Sequence, residues 1–127
     1  MRTTRILLLG SRESRPLLER LLGLGLEPLL REGILSTLST LRRGSFAVIA
    51  VDPEHLAIDL LEFVLNVRDI DGRIPIAILG EPPDARIRDT LASQPGVHVL
   101  PAEETATTFA DHLLHIMSCP AGDASGA

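Results

Sequence analysis

The sequence contains no tyrosine, no tryptophan and no lysine, and it has a single cysteine, Cys119, close to its C-terminal end. One cysteine cannot build a disulfide framework, so the pattern implies a reducing, cytoplasmic setting. With phenylalanine at only three positions, Phe46, Phe63 and Phe109, the core must come mainly from Leu, Ile, Val and Ala. All twelve basic residues are arginines, spread along the chain against seventeen acids, for a net charge of −5. Without a basic cluster the segment is not expected to carry a nucleic-acid surface. No apolar run is long enough to span a bilayer, so no membrane segment is expected. The N-terminal MRTTRILLLG superficially resembles a secretory signal, but Gly10-Ser11-Arg12-Glu13 follows without a small-residue cleavage site, and a strand explains it better.

What is present is alternation. At 127 residues, 45% of them hydrophobic, the chain is expected to form one domain with a substantial core. Its centre is FAVIAVDP, residues 46 to 53, a short β-branched run opened by Gly44-Ser45, closed by Pro53 and ended by one carboxylate, Asp52. Such a run reads as a buried parallel strand, and its C-terminal end is where open α/β sheets hold their ligands.

Around it, Arg5 to Leu9 reads as a first strand, and Leu17, Leu18, Leu21 and Leu22 as one face of a helix from near Ser14 to Gly23 or Gly25. Leu26 to Arg31 is a weaker strand in which Pro28 removes a ladder donor and points to a sheet edge. Gly33 opens a helix with Ile34, Leu38 and Leu41 on one side and Arg42-Arg43 in its last turn. A third helix is expected over 57 to 68 with Leu60, Leu61, Val64 and Leu65 facing inward, followed by a turn from Asp69 to Arg73. Ile74 to Leu79 is a fourth strand. Asp84 is placed to cap a helix from Ala85 to Ser93, with Ile87 and Leu91 as its apolar residues. Val97 to Leu100 is a fifth strand. The last helix, 105 to 117, carries Ala106, Phe109, Ala110, Leu113 and Met117 on one side. Five strands alternating with five helices predict a doubly wound parallel (βα)5 sheet, and an edge-like second strand fits the flavodoxin/CheY-like order 2-1-3-4-5. The domain is expected over residues 1 to 117, with 118 to 127 as a small, polar tail or the start of a linker.

From Arg5 to Met117 the chain resembles a response-regulator receiver domain of the CheY-like family. The likeness lies in the order of elements and in local stretches: FAVIAVD resembles the strand ending in the phosphoacceptor aspartate, IPIAILG the strand that normally ends in Ser or Thr, and GVHVLP the strand followed by a Lys-Pro pair. The resemblance puts Asp52 at the acceptor position and Gly10 and Ser11 at the metal-binding acidic pair. Gly80 stands at the Ser/Thr position and Leu100 at the Lys position. Neither Gly10 nor Ser11 replaces a carboxylate as a Mg²⁺ ligand. Phosphoryl transfer to an aspartate needs the nucleophile, the metal and donors for the phosphoryl oxygens in one place, and only Asp52 is retained. The resemblance therefore implies a degenerate, or pseudo-, receiver: a signalling scaffold that uses no cofactor and no catalysis and works through an attached effector domain, a protein partner or a homodimer. IPIAILGEP, residues 74 to 82, together with the missing acidic pair, also resembles the N-terminal domain of FleQ/FlrA-type activators of flagellar genes. By analogy with receivers, the contact face would be the fourth helix, fifth strand and fifth helix, with Arg86, Arg88, His98, Asp111 and His112 as its polar rim.

Two alternatives stay open. Gly10 and Gly80 beside Asp52 are suited to admit a ligand backbone or phosphate, as in a small-molecule- or nucleotide-binding flavodoxin-like domain. An atypical, still phosphorylatable regulator would need a metal site built from acids outside the expected positions. Other patterns carry less. LLLGSRES lacks the further glycines of a dinucleotide loop and the Gly-Lys-Ser/Thr of a P-loop. His112 and His115 are spaced to offer two zinc ligands without a third, and histidines on a solvated helix face are commonly bystanders. Without further evidence, Asp52 is expected to accept hydrogen bonds from nearby backbone N–H groups.

Overall fold

The computed structural model describes residues 4–53, 59–80, 84–101 and 106–118. Five strands alternate with five α-helices: β1 (Arg5–Leu9), α1 (Arg15–Gly23), β2 (Glu27–Arg31), α2 (Ile34–Arg43), β3 (Val48–Val51), α3 (Leu60–Ile70), β4 (Ile76–Leu79), α4 (Ala85–Ser93), β5 (Val97–Leu100) and α5 (Ala106–Ser118). All strand pairs are parallel and the sheet order is β2-β1-β3-β4-β5. Every β–α–β crossover therefore returns over one face or the other, and the edge position of β2 accommodates Pro28, which has no N–H to give.

Alternation along the strands divides the core in two. Leu7, Leu9, Ile49, Val51, Ile76, Ile78 and Val97 point to the side covered by α2, α3 and α4, where they meet Leu38, Leu41, Phe63, Val64, Val67 and Leu91. Ile6, Leu8, Val48, Ala50 and Ala77 point to the opposite side, against Leu17 and Leu21 of α1 and Phe109, Ala110, Leu113 and Ile116 of α5. Small Ala50 and Ala77 share that side with the ring of Phe109, which gives the ring room. Each fully buried side chain of this kind contributes roughly 1.5–3 kcal/mol through removal from water, so β1 and β3, buried along nearly their whole length, anchor the fold.

Several boundaries differ from the sequence-based expectation. α3 begins at Leu60, after Asp59, whose carboxylate accepts from the Glu62 N–H as an N-cap; residues 54–58 lie outside the described residues. Its inward stripe is Leu60, Phe63, Val64 and Val67, while Leu65 is 52% exposed. β4 starts at Ile76 because Asp71 Oδ1 accepts from the N–H groups of both Arg73 and Ile74 and holds that segment in a turn. On α5, Ile116 joins the buried stripe. Of the expected tail, Ser118 closes α5 and 119–127 lie outside the described residues. Among the described residues no helix is long and apolar enough to cross a membrane.

Candidate functional site

The residues compared with receiver positions meet at the carboxyl edge of the sheet. Asp52 follows β3 directly, and its backbone N–H donates to Leu9 O at 2.9 Å. Gly10 N–H reaches Arg31 O at 3.0 Å, and Gly80 N–H reaches Leu100 O at 2.7 Å. These bonds prolong the sheet by one residue past the strand ends, so positions 10, 52, 80 and 100 stand side by side in strand order.

One partner of the Asp52 carboxylate is a residue that sequence reasoning missed. Ser14 Oγ donates to Asp52 Oδ2 at 2.8 Å. Ser14 is only 2% exposed and ends a 3-10 turn, Arg12–Ser14, that precedes α1. The turn is internally braced. Ser14 N–H donates to Ser11 O at 2.9 Å, Ser11 N–H donates to Ser14 Oγ at 3.1 Å, and Ser11 Oγ accepts from Glu13 N–H at 3.1 Å. Ser11 thus spends its hydroxyl on the turn as an N-cap.

The two glycines are held as glycines for different reasons. Gly80 has φ of 98°, a conformation that residues with a side chain adopt only under strain. Gly10 has no such backbone requirement, but a Cβ built there would lie on Ser14 Oγ and 3.0 Å from Ser14 Cβ. The space above Gly10, expected to admit a ligand, is filled by Ser14.

A divalent cation at this edge would need oxygen ligands from more than Asp52. Position 10 has no side chain, Ser11 caps the turn, and the Asp52 oxygen nearest Ser14 already holds a hydroxyl. Among the described residues no three His, Cys, Asp or Glu side chains gather closely enough to hold a metal. Among the described residues, the side chains at this edge do not fit a receiver's magnesium ion.

The proposed contact face lies elsewhere on the surface. Arg86 is exposed on α4, Arg88 Nε lies 3.7 Å from Asp89 Oδ1, and Asp111 and His112 are exposed on α5. His98 projects from the β5 edge toward α5. Its pKa is pushed below the usual histidine value by partial burial first and by nearby His115 second. Ile87, counted by its spacing as an apolar helix residue, is 40% exposed on the same helix as Arg86.

No protein-family model matches the sequence, and a comparison with curated proteins found no match. Solved structures do match. The receiver domain of a sensor histidine kinase from Pseudomonas aeruginosa, crystallised with a magnesium ion in its active-site cleft, superposes with a TM-score of 0.74 at 17% identity, covering 91% of this chain and 98% of that one. A chemotaxis response regulator of Vibrio cholerae gives 0.74 at 17% identity over 91% and 99% of the two chains. An adenylate cyclase from Rhodopirellula baltica gives 0.78 at 18% identity over 91% and 88%. The architecture is the doubly wound flavodoxin-like α/β fold. Within that class it is the fold of CheY-like receiver domains of response regulators.

Proposed function

We propose that the chain is a pseudo-receiver: a regulatory module of a bacterial, cytoplasmic signalling or transcription-regulatory protein that acts through protein contacts, without conventional phosphorylation of Asp52. The observation that carries this reading is the environment of Asp52, where a serine hydroxyl stands beside the carboxylate and positions 10, 11, 80 and 100 supply neither metal ligands nor a cation. Among the described residues, the carboxylate keeps its place at the strand end without the electrostatic partners that phosphoryl transfer requires. The domain's partners are an attached effector, a separate protein or a second copy, met through the surface of α4, β5 and α5. The resemblance of residues 74 to 82 to FleQ/FlrA-type activators favours an effector in the same polypeptide. An ATPase module encoded directly downstream is the observation that tests that assignment.

The domain itself is tested by amide NMR, titrating Mg²⁺ and then beryllofluoride as a phosphoryl mimic. The expected result is no saturable shift at millimolar Mg²⁺ and none on adding the mimic. Saturable movement of Gly10, Asp52, Gly80 and Leu100 would establish a working phosphoacceptor site and overturn the proposal.

A further inference from the structure

Ser14 sits at the crossing of three constraints. Its hydroxyl donates to Asp52 Oδ2 and accepts from Ser11 N–H. Its side chain also fills the volume that any side chain at position 10 would enter. And it is the last residue of the 3-10 turn, immediately before Arg15 opens α1. A cation bridging a carboxylate at position 10 to Asp52 would need this same volume. The chain has put a neutral donor there, and a hydroxyl needs no ligands beyond the acceptor it already has.

We infer that Ser14 is an internal stand-in for the cation, sterically interlocked with Gly10, and that it couples the state of Asp52 to the start of α1. This rests on reading the cleft as one without a metal. At 2.8 Å the hydrogen bond from Ser14 Oγ to the Asp52 carboxyl group is well formed. Whatever removes the Asp52 acceptor releases Ser14 Oγ, leaving the turn at 11–14 to lose its tie to β3. Among the described residues, Gly80 and Leu100 offer no comparable lever from the other side of the cleft, since Gly80 has no side chain and Leu100 has no polar group. Among the described residues, the surface tied to Asp52 through Ser14 is the 3-10 turn and the exposed flank of α1, carrying Arg12, Glu13, Arg15 and Glu19. It is distinct from the surface of α4, β5 and α5.

The test compares amide spectra and urea unfolding of the wild-type chain with Ser14→Ala, Asp52→Ala, Asp52→Asn and the Ser14→Ala/Asp52→Ala double variant, all without metal. Asp52→Ala is expected to move resonances over residues 10 to 18 more than those of Gly80, Leu100 and α4, and Ser14→Ala to move the same set. Each single alanine should lower the folding equilibrium constant roughly tenfold to a hundredfold. The double variant should fall well short of the product of the two, which marks a direct pair. Asp52→Asn keeps an acceptor oxygen and should leave residues 10 to 18 close to their wild-type positions, so the inference stays testable even if Ser14→Ala does not fold. Gly10→Ala should be strongly destabilising in the wild-type chain and largely relieved beside Ser14→Gly. Independent effects of the two alanines, or an Asp52→Ala response confined to Gly80, Leu100 and α4, would overturn the coupling. A Mg²⁺ response of the wild-type chain bears on the pseudo-receiver proposal instead, so the two failures are distinguishable.

Discussion

Arg68, near the end of α3, donates Nη2–H to the carbonyl of Pro95, 27 positions along the chain, at 2.9 Å. The same guanidinium donates through Nη1 to Ile74 O at 2.7 Å and to Asp71 O at 3.3 Å. One side chain thus satisfies carbonyls in the segments leading into β4 and β5, using the planar fork that only arginine provides. Burial pulls its pKa below the usual arginine value, and neighbouring Asp71 acts in the opposite direction. Arg68→Ala is expected to cost about 2–3 kcal/mol, because it leaves carbonyls without their donor. Arg68→Lys should recover only part of this, since a single ammonium cannot span both segments. Urea titration should show a lower midpoint with an unchanged slope.

Gly80→Ser restores the residue type that a receiver carries at the end of its fourth strand, and it is expected to harm the fold. At φ of 98° a side chain is strained, at a cost of about 1–3 kcal/mol. The variant should unfold at lower urea concentration than wild type and still fail to bind beryllofluoride. A neutral or stabilising Gly80→Ser would mean that the backbone there relaxes freely, and that the glycine is not imposed by the loop.

α4 is held by little. Leu91 is its one buried residue, and its first turn is capped by Asp84, whose Oδ1 accepts from Arg86 N–H at 2.8 Å. Leu91→Ala should cost about 3 kcal/mol and leave a cavity in the core beside α3. Hydrogen exchange should then show α4 opening in advance of the rest of the sheet, whereas a uniform loss of protection would mean that α4 unfolds only with the whole domain.

Strands and their order were readable because the glycines and prolines that bound them act locally. Pro28 marked the edge strand, and Pro95-Gly96 and Pro101 framed β5 to the residue. The phase of α3 was harder to read. Its sequence LLEFVLNVRDI is apolar at so many positions that Leu60, Leu61, Val64 and Leu65 satisfy the helical period as well as the observed Leu60, Phe63, Val64 and Val67. The phase is chosen by what the helix lies against, which no local pattern contains. The positions around Asp52 were legible from likeness to receivers, but Ser14 was not. Its bond to Asp52 spans 38 positions, and a serine just before Arg15-Pro16 reads as an ordinary helix start. The only available hint was Gly10, a glycine that ends a strand without needing a positive φ.

His98 makes stability depend on pH in a direction that can be worked out. Partial burial, and secondarily the charge of His115, make protonation harder in the folded chain than in the unfolded one, where the ordinary value is 6.5. Above that pH the imidazole is neutral in both states and stability is complete. As pH falls below it, the unfolded chain takes up the proton first, so stability declines until pH passes the lower folded-state pKa, and there the loss levels off. Replacement by glutamine, His98→Gln, keeps a polar side chain at the β5 edge and removes the titration. Its urea midpoint should therefore fall less than that of the wild type between about pH 8 and about pH 5. His115→Gln should give an intermediate slope, because it removes the lesser cause and leaves the burial. Parallel wild-type and His98→Gln profiles would mean that the imidazole is solvated well enough to take its proton without consequence for the fold.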